Sequence, residues 1–191
     1  CKEVSVPNLD IVGWYDHANG DMLLFRTMVK EAKTQIARAG SRIIIGPWGH
    51  GGWRVRRAGN IDFGPSSTLD VIPLQIRWFD HWLKGIANGV DKDAPVRIFV
   101  MGDNQWRSER HWPLQNTKDR ILYVTSRGHA NTPSGDGKLD LEKPQSLRTD
   151  SYVYDPNNPV PTPFGPRRPV VSDQRSLAAR QDILVYQTAP L

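Results

Sequence analysis

Two side chains in this sequence have the type and placing of an acid–base pair. Asp16 follows the apolar run Leu9, Ile11, Val12, and His50 follows the run Arg42 to Ile45. An imidazole with a pKa near neutrality can take a proton from a hydroxyl and return it to a leaving group. A carboxylate beside it fixes the tautomer and stabilises the imidazolium. That chemistry serves a nucleophile such as serine, and none of the serines here stands in a Gly-x-Ser-x-Gly elbow. Gly64-Pro65-Ser66-Ser67-Thr68 fails at its last position, and Ser66 and Ser67 fall in a Pro-containing loop after His50. Spacing alone leaves a second reading open, in which Asp16 caps a helix and His50 is a loop residue.

The remaining candidates read as structure. His81 and His111 lie beside Trp82 and Trp112, where an imidazole packs or faces solvent. His17 adjoins Asp16 and points to the surface if Asp16 points inward. No His-Glu-x-x-His, paired cysteine or calcium-loop pattern occurs, so no metal is implied. Asp136-Gly137-Lys138-Leu139-Asp140 reads as a hairpin turn. The single cysteine, Cys1, cannot close an internal disulfide.

The elements that must position Asp16 and His50 follow from periodicity. Leu9, Ile11 and Val12 predict a strand stopped by Gly13. From an N-cap at Asn19 or Asp21, apolar residues recur at Met22, Phe25, Val29, Ala32 and Ile36, which predicts one helix closed by Gly40. Arg42 to Ile45 reads as a buried strand. Gly46 to Gly52 must be a loop, because a proline and four glycines there cannot continue a helix or strand cheaply. A second helix is predicted from about Asp70 to Lys84, with Val71, Leu74, Trp78 and Trp82 on one face and Gly85 closing it. Pro95 to Met101 is a further strand ended by Gly102.

Alternating strands and helices imply a parallel sheet, and in open α/β sheets reactive groups gather beyond the carboxyl ends of the strands. In an α/β hydrolase the triad follows the chain order Ser, then Asp or Glu, then His, so Asp16 and His50 match its last two members. After about Asn116 the pattern changes to short strands, Ile121 to Thr125, Ser151 to Tyr154 and Asp182 to Gln187, joined by stretches rich in Pro, Gly and Asn. The run Pro156 to Pro169 reads as a connection. A second, all-β domain is therefore expected, with too few strands for a sandwich of about seven or eight, so it reads as cut off at Leu191.

Composition removes other classes. Of 191 residues 38% are hydrophobic and 24% charged, as in an ordinary globular protein. No apolar run reaches the roughly 20 residues of a membrane span, and no targeting segment opens the chain. The opening Cys1-Lys2-Glu3 lacks an initiator Met, which suggests removed upstream residues and leaves localisation open. The net charge is +5, yet Arg54, Arg56, Arg57, Arg110, Arg167 and Arg168 are scattered without a nucleic-acid-binding motif.

Several segments together resemble the CocE/NonD hydrolases, the group of cocaine esterases, α-amino-acid ester hydrolases, glutaryl acylases and Xaa-Pro dipeptidyl-peptidases. Gly13-Trp14-Tyr15-Asp16 is similar to that family's acid-bearing segment, and Gly46-Pro47-Trp48-Gly49-His50 to its base-bearing one. Arg77 to Gly85, Val96 to Gly102 with Trp106-Arg107, and Tyr154-Asp155-Pro156 with Pro159-Val160-Pro161 resemble it too. The resemblance implies the C-terminal part of an α/β hydrolase fold over residues 1–116 and the beginning of a jelly roll over 117–191. It makes Asp16 and His50 catalytic, with the serine and a helical cap upstream. It requires no cofactor.

The substrate implied is a small ester, amide or short peptide. Family members acting on α-amino esters carry carboxylates two and three residues after the acid, where this chain has Ala18 and Asn19, so a free α-amino group is disfavoured. By itself the chain is expected to be inactive. The competing reading is a non-catalytic β-rich binding or structural fragment, and a Gly-x-Ser-x-Gly roughly a hundred or more residues before Asp16 separates the two.

Overall fold

A computed structural model describes residues 1–146, 148–161 and 174–190. Two compact units emerge, one over Cys1–Thr117 and a second beginning at Lys118. In the first, β1 (Leu9–Gly13) leads into α1 (Ala18–Glu31), α2 (Gln35–Gly40) and β2 (Arg42–Gly46). A two-residue ladder of β3 (Arg57–Ala58) and β4 (Ile61–Asp62) follows, then α3 (Val71–Lys84), β5 (Val96–Val100) and β6 (Gln105–Glu109).

The main sheet has the order β1-β2-β5-β6. β1, β2 and β5 are parallel, as expected, whereas β6 is antiparallel to β5 and makes the sheet mixed. Parallel strands need both faces covered, and β2 is accordingly buried along its whole length. One face carries Val12, Ile43, Ile45, Val96 and Ile98, packed with Ala18 and Phe25 of α1. Burying a side chain such as Ile45 stabilises the fold by about 1.5–3 kcal/mol. The opposite face presents Leu9, Arg42, Ile44 and Arg97 toward Leu74 and Trp78 of α3.

The single helix expected to Gly40 is two. Ala32 is extended, and Thr34 starts α2 by accepting a hydrogen bond from the Ala37 amide. The break is imposed from outside: the Lys33 amide donates to Val4 O and the Thr34 hydroxyl to Ser5 O. The buried face shifts with it, to Phe25, Met28, Ala32 and Ala37, leaving Val29 and Ile36 exposed. α1 starts at Ala18 without a side-chain cap, so neither Asn19 nor Asp21 caps it, and Gly40 is helical with Ser41 as the closing residue.

α3 matches its expected bounds, with the Asp70 carboxylate accepting from the Ile72 amide and Gly85 left-handed at φ 72°. Val71 and Trp78 are buried beneath it. β6 lies outside the sequence expectation. Gly102 at φ 99° and Asn104 at φ 53° turn the chain back so that Gln105–Glu109 pairs with β5.

In the second unit β7 (Tyr123–Thr125) pairs antiparallel with β8 (Lys138–Asp140). Residues 138–140 are thus a strand and not part of a hairpin turn. The Asp136 carboxylate accepts the Arg127 and His129 amides and so gathers the connection. Ser151–Tyr154 is not a strand: it has no ladder partner among the described residues, and Val153 is 82% exposed. Asp182–Gln187 is not a regular strand: Gln187 forms a bridge to Lys138, and the Val185 amide donates to Ala130 O. Asp150 ties the unit together, accepting from the Ser126 and Tyr186 hydroxyls and the Ala130 amide. Arg167, Arg168, Leu191 and the later part of the run Pro156 to Pro169 lie outside the described residues.

Candidate active site

Beyond the carboxyl ends of β1 and β2 the main-chain ladder continues for two more bonds. The Trp14 amide donates to Gly46 O at 2.8 Å and the Tyr15 amide to Trp48 O at 3.0 Å. Two loops that could diverge are therefore held side by side. Glycine is required on both. A Cβ on Gly13 would sit 2.0 Å from the Trp48 carbonyl oxygen, and one on Gly46 would sit 2.4 Å from the Trp48 indole. No side chain fits either place without moving backbone or a packed ring.

The aromatic residues of the two loops are anchors. Trp48 is 2% exposed and donates its indole N–H to Ser67 O at 2.7 Å. Trp14 donates to Phe99 O at 2.9 Å and lies against Trp112. Tyr15 packs with Phe63. These contacts explain why the segments around Asp16 and His50 are aromatic. Periodicity does not mark Trp14 and Trp48 as positioning residues; the signal for them is the Gly13-Trp14 and Gly46-Pro47-Trp48 steps just before Asp16 and His50.

On this frame the Asp16 amide closes a tight turn onto Gly13 O, and the Gly52 amide closes another onto Gly49 O around His50 and Gly51, with Gly51 at φ 67°. The two turns bring Asp16 Oδ2 and His50 Nδ1 to 3.1 Å. An ionised carboxylate only accepts, so His50 must donate from Nδ1, which leaves Nε2 as the free base. The Asp16 side chain is 18% exposed and that of His50 is 80% exposed. A depression of about 200 Å³ lies beside them, walled by Ile11, Trp48, Gly51 and Trp53. Imidazole and carboxylate in this arrangement can withdraw a proton from a hydroxyl brought to Nε2.

The other candidates are placed elsewhere. His17 has a 95% exposed side chain, with Nε2 at 3.9 Å from Asp16 Oδ1. His81 contacts Ile86 O through Nδ1 and meets Trp82 edge to face. The Ser66 hydroxyl donates to Asn104 O and that of Ser67 to Gly64 O, inside a 3₁₀ turn rather than a strand-to-helix elbow. No group of three or more metal-ligating side chains occurs among the described residues. No helix among them is long and apolar enough to cross a membrane.

Comparison with known proteins adds relatives to this geometry. Residues 88–191 match the family model of the X-Pro dipeptidyl-peptidase C-terminal non-catalytic domain, a segment that takes in β5 and β6 and excludes Asp16 and His50. The cocaine esterase of Rhodococcus sp. (strain MB1 Bresler) is 33% identical over 198 residues, covering 98% of this chain and 33% of the esterase. A putative Xaa-Pro dipeptidyl-peptidase of Streptomyces avermitilis is 33% identical over 95 residues, 50% of this chain and 13% of that protein. Among solved structures, an aminopeptidase from a marine sediment archaeon, Thaumarchaeota archaeon, superimposes with a TM-score of 0.70 at 27% identity, covering 98% of this chain and 31% of that one. The chain spans a third or less of the length of each of these proteins.

Proposed function

Since the chain belongs to the CocE/NonD family and carries that family's X-Pro dipeptidyl-peptidase C-terminal domain over residues 88–191, we propose that it is the acid- and base-bearing portion of a serine acyl hydrolase. The observation that carries the reading is the 3.1 Å contact between Asp16 Oδ2 and His50 Nδ1 beyond the ends of two adjacent parallel strands. Residues 1–116 then form the C-terminal part of an α/β-hydrolase domain, and 117–191 the beginning of a jelly roll.

In the proposed reaction a serine upstream of Cys1 attacks an ester, amide or short-peptide carbonyl while His50 Nε2 takes its proton. Asp16 holds the Nδ1–H and stabilises the imidazolium. The proton passes to the leaving group, and water, deprotonated by the same nitrogen, releases the acyl group. No step calls for a cofactor.

Fluorophosphonate labelling of the full-length protein tests this. One upstream serine should be labelled, the label should be lost in His50→Ala, and residues 1–191 alone should take none. Stoichiometric labelling of a serine within residues 1–191, located by peptide mass spectrometry, overturns the reading. The family match itself favours a second role for residues 88–191, that of a non-catalytic module. The two roles are compatible, because Asp16 and His50 lie outside that segment.

A further inference from the structure

The sheet face covered by α3 carries two charges where a parallel sheet is ordinarily apolar. Arg42 lies beside Leu9 in register, and Arg97 lies beside Ile44 on the next strand. Together with Leu74 and Trp78 of α3 they line a cavity of about 400 Å³. That volume is in the range of small-molecule sites, which are mostly apolar with a few placed polar groups. The cavity sits toward the amino ends of β1 and β2, whereas Asp16 and His50 lie beyond their carboxyl ends. Ile44 and Trp106 carry the cavity toward the middle of the sheet, and the Trp106 ring lies 5.7 Å from that of Trp48.

The charges around this cavity are unequally matched. Asp93 places both carboxylate oxygens on Arg77. Arg42 is 7% exposed and spends its terminal nitrogens on the carbonyls of Ala39, Ser41 and Asp91, leaving Nε without a partner among the described residues. The Arg97 side chain makes no hydrogen bond or ion pair among them. Its guanidinium lies 4.8 Å from the centre of the Trp106 ring, a stacking that holds the fork in place and leaves its edge donors free. Asp91 and Asp93 act on Arg42 through space, and Asp93 on Arg97. Three arginines against two aspartates leave one positive charge over.

We propose that this cavity binds a small carboxylic acid with an apolar body, its carboxylate on the Arg97 fork and its body against Leu74, Trp78 and Ile44. A carboxylate matches the planar fork in two parallel hydrogen bonds and supplies the single negative charge the cavity lacks. The apolar walls select against bare inorganic anions, which have nothing to bury there. This site is independent of the acyl-hydrolase reading.

Benzoate, benzamide and inorganic phosphate, titrated into the 191-residue chain at constant ionic strength, test the proposal. Binding is read by calorimetry and by the fluorescence of Trp78 and Trp106. Benzoate should saturate, with benzamide and phosphate at least tenfold weaker. Folded Arg97→Gln should lose benzoate binding tenfold or more, while Arg57→Gln, an exposed control, should retain it. Leu74→Trp fills the cavity from the helix side and should abolish binding with the sheet face untouched, which decides the matter if Arg97→Gln does not fold. Equal binding of benzoate and benzamide, tighter binding of phosphate, or full benzoate affinity in folded Arg97→Gln or Leu74→Trp would overturn it.

Discussion

The carbonyl oxygen of Trp48 occupies the space that a side chain at Gly13 would need, 2.0 Å from where its Cβ would lie. Closeness of the acid and base loops thus depends on an absent methyl group. Gly13→Ala must push the Trp48 backbone away and lengthen the contact between Asp16 and His50. In the 191-residue chain, NMR of the His50 ring should show the Nδ1 proton exchanging at least tenfold faster, with helix content unchanged by circular dichroism. An unaltered ring signal in the folded variant would show that the loops are held by other means.

Removing the base or mis-setting its tautomer has different expected sizes. In the full-length protein His50→Ala should abolish most ester turnover. Asp16→Asn should lower kcat by on the order of 10⁴, since an amide favours the wrong imidazole tautomer. Both variants should melt near the parent temperature, because neither side chain is in the core. Steady-state kinetics on folded material settle it, and near-parental turnover in either variant excludes these roles.

Asp10 gives the first unit a stability that falls as pH rises. Burial pushes its carboxyl up to about 6, against the lowering effect of the Asn8 amide donor and with a small further rise from Asp21. Oδ2 has no partner among the described residues. The folded state therefore holds this proton more tightly than the unfolded state, whose carboxyl titrates near 3.9. The stabilisation is complete below about pH 4 and is lost as pH rises through about 6, by at most about 3 kcal/mol. Urea unfolding of Asp10→Asn should show its advantage over the parent growing from pH 4 to pH 7. Parallel pH profiles would refute the assignment.

Tyr186 should ionise above the ordinary tyrosine range. Its hydroxyl donates to Asp150 at 2.6 Å, and that bond, with burial and the nearby carboxylate charge, raises it to about 12. The stability it contributes is present below the ordinary tyrosine pKa of about 10 and is lost as pH rises through the raised value. Ultraviolet titration of Tyr186→Phe against the parent should assign a late tyrosinate to Tyr186, and Asp150→Asn should move that step toward the ordinary value. The same variant removes a carboxylate held below its usual range chiefly by the Ser126 and Tyr186 hydroxyls. The parent's second unit should accordingly loosen as pH falls through that lowered value, whereas Asp150→Asn should be loosened at all pH values.

What could be read from sequence was what is decided locally. β1, β2 and α3 announce themselves through apolar runs, the Asp70 cap and the left-handed Gly85. The interruption at Ala32 was invisible because no breaker residue marks it; contacts from Val4 and Ser5 impose it. β6 was missed because Gln-Trp-Arg-Ser-Glu is an edge strand with one large apolar residue, and its pairing depends on a turn through Gly102 and Asn104. Ser151–Tyr154 shows the opposite failure: strand-forming residues do not make a strand without a ladder partner. At the site, the residue types of Asp16 and His50 were legible, whereas the backbone bonds that join their loops follow from strand register, which no local pattern encodes.

The two main-chain bonds past the strand ends also bear on the order of assembly. Asp16 and His50 are 34 positions apart, and everything between them is a strand-to-strand crossover through α1 and α2. A parallel pairing across such a crossover is a non-local contact, so its loop-closure entropy is spent before its bonds are gained. Asp16 and His50 thus come into register only when β1 docks on β2. The contact between the two side chains is in this sense a product of strand pairing, and a change that weakens the β1–β2 ladder reaches it without touching either residue.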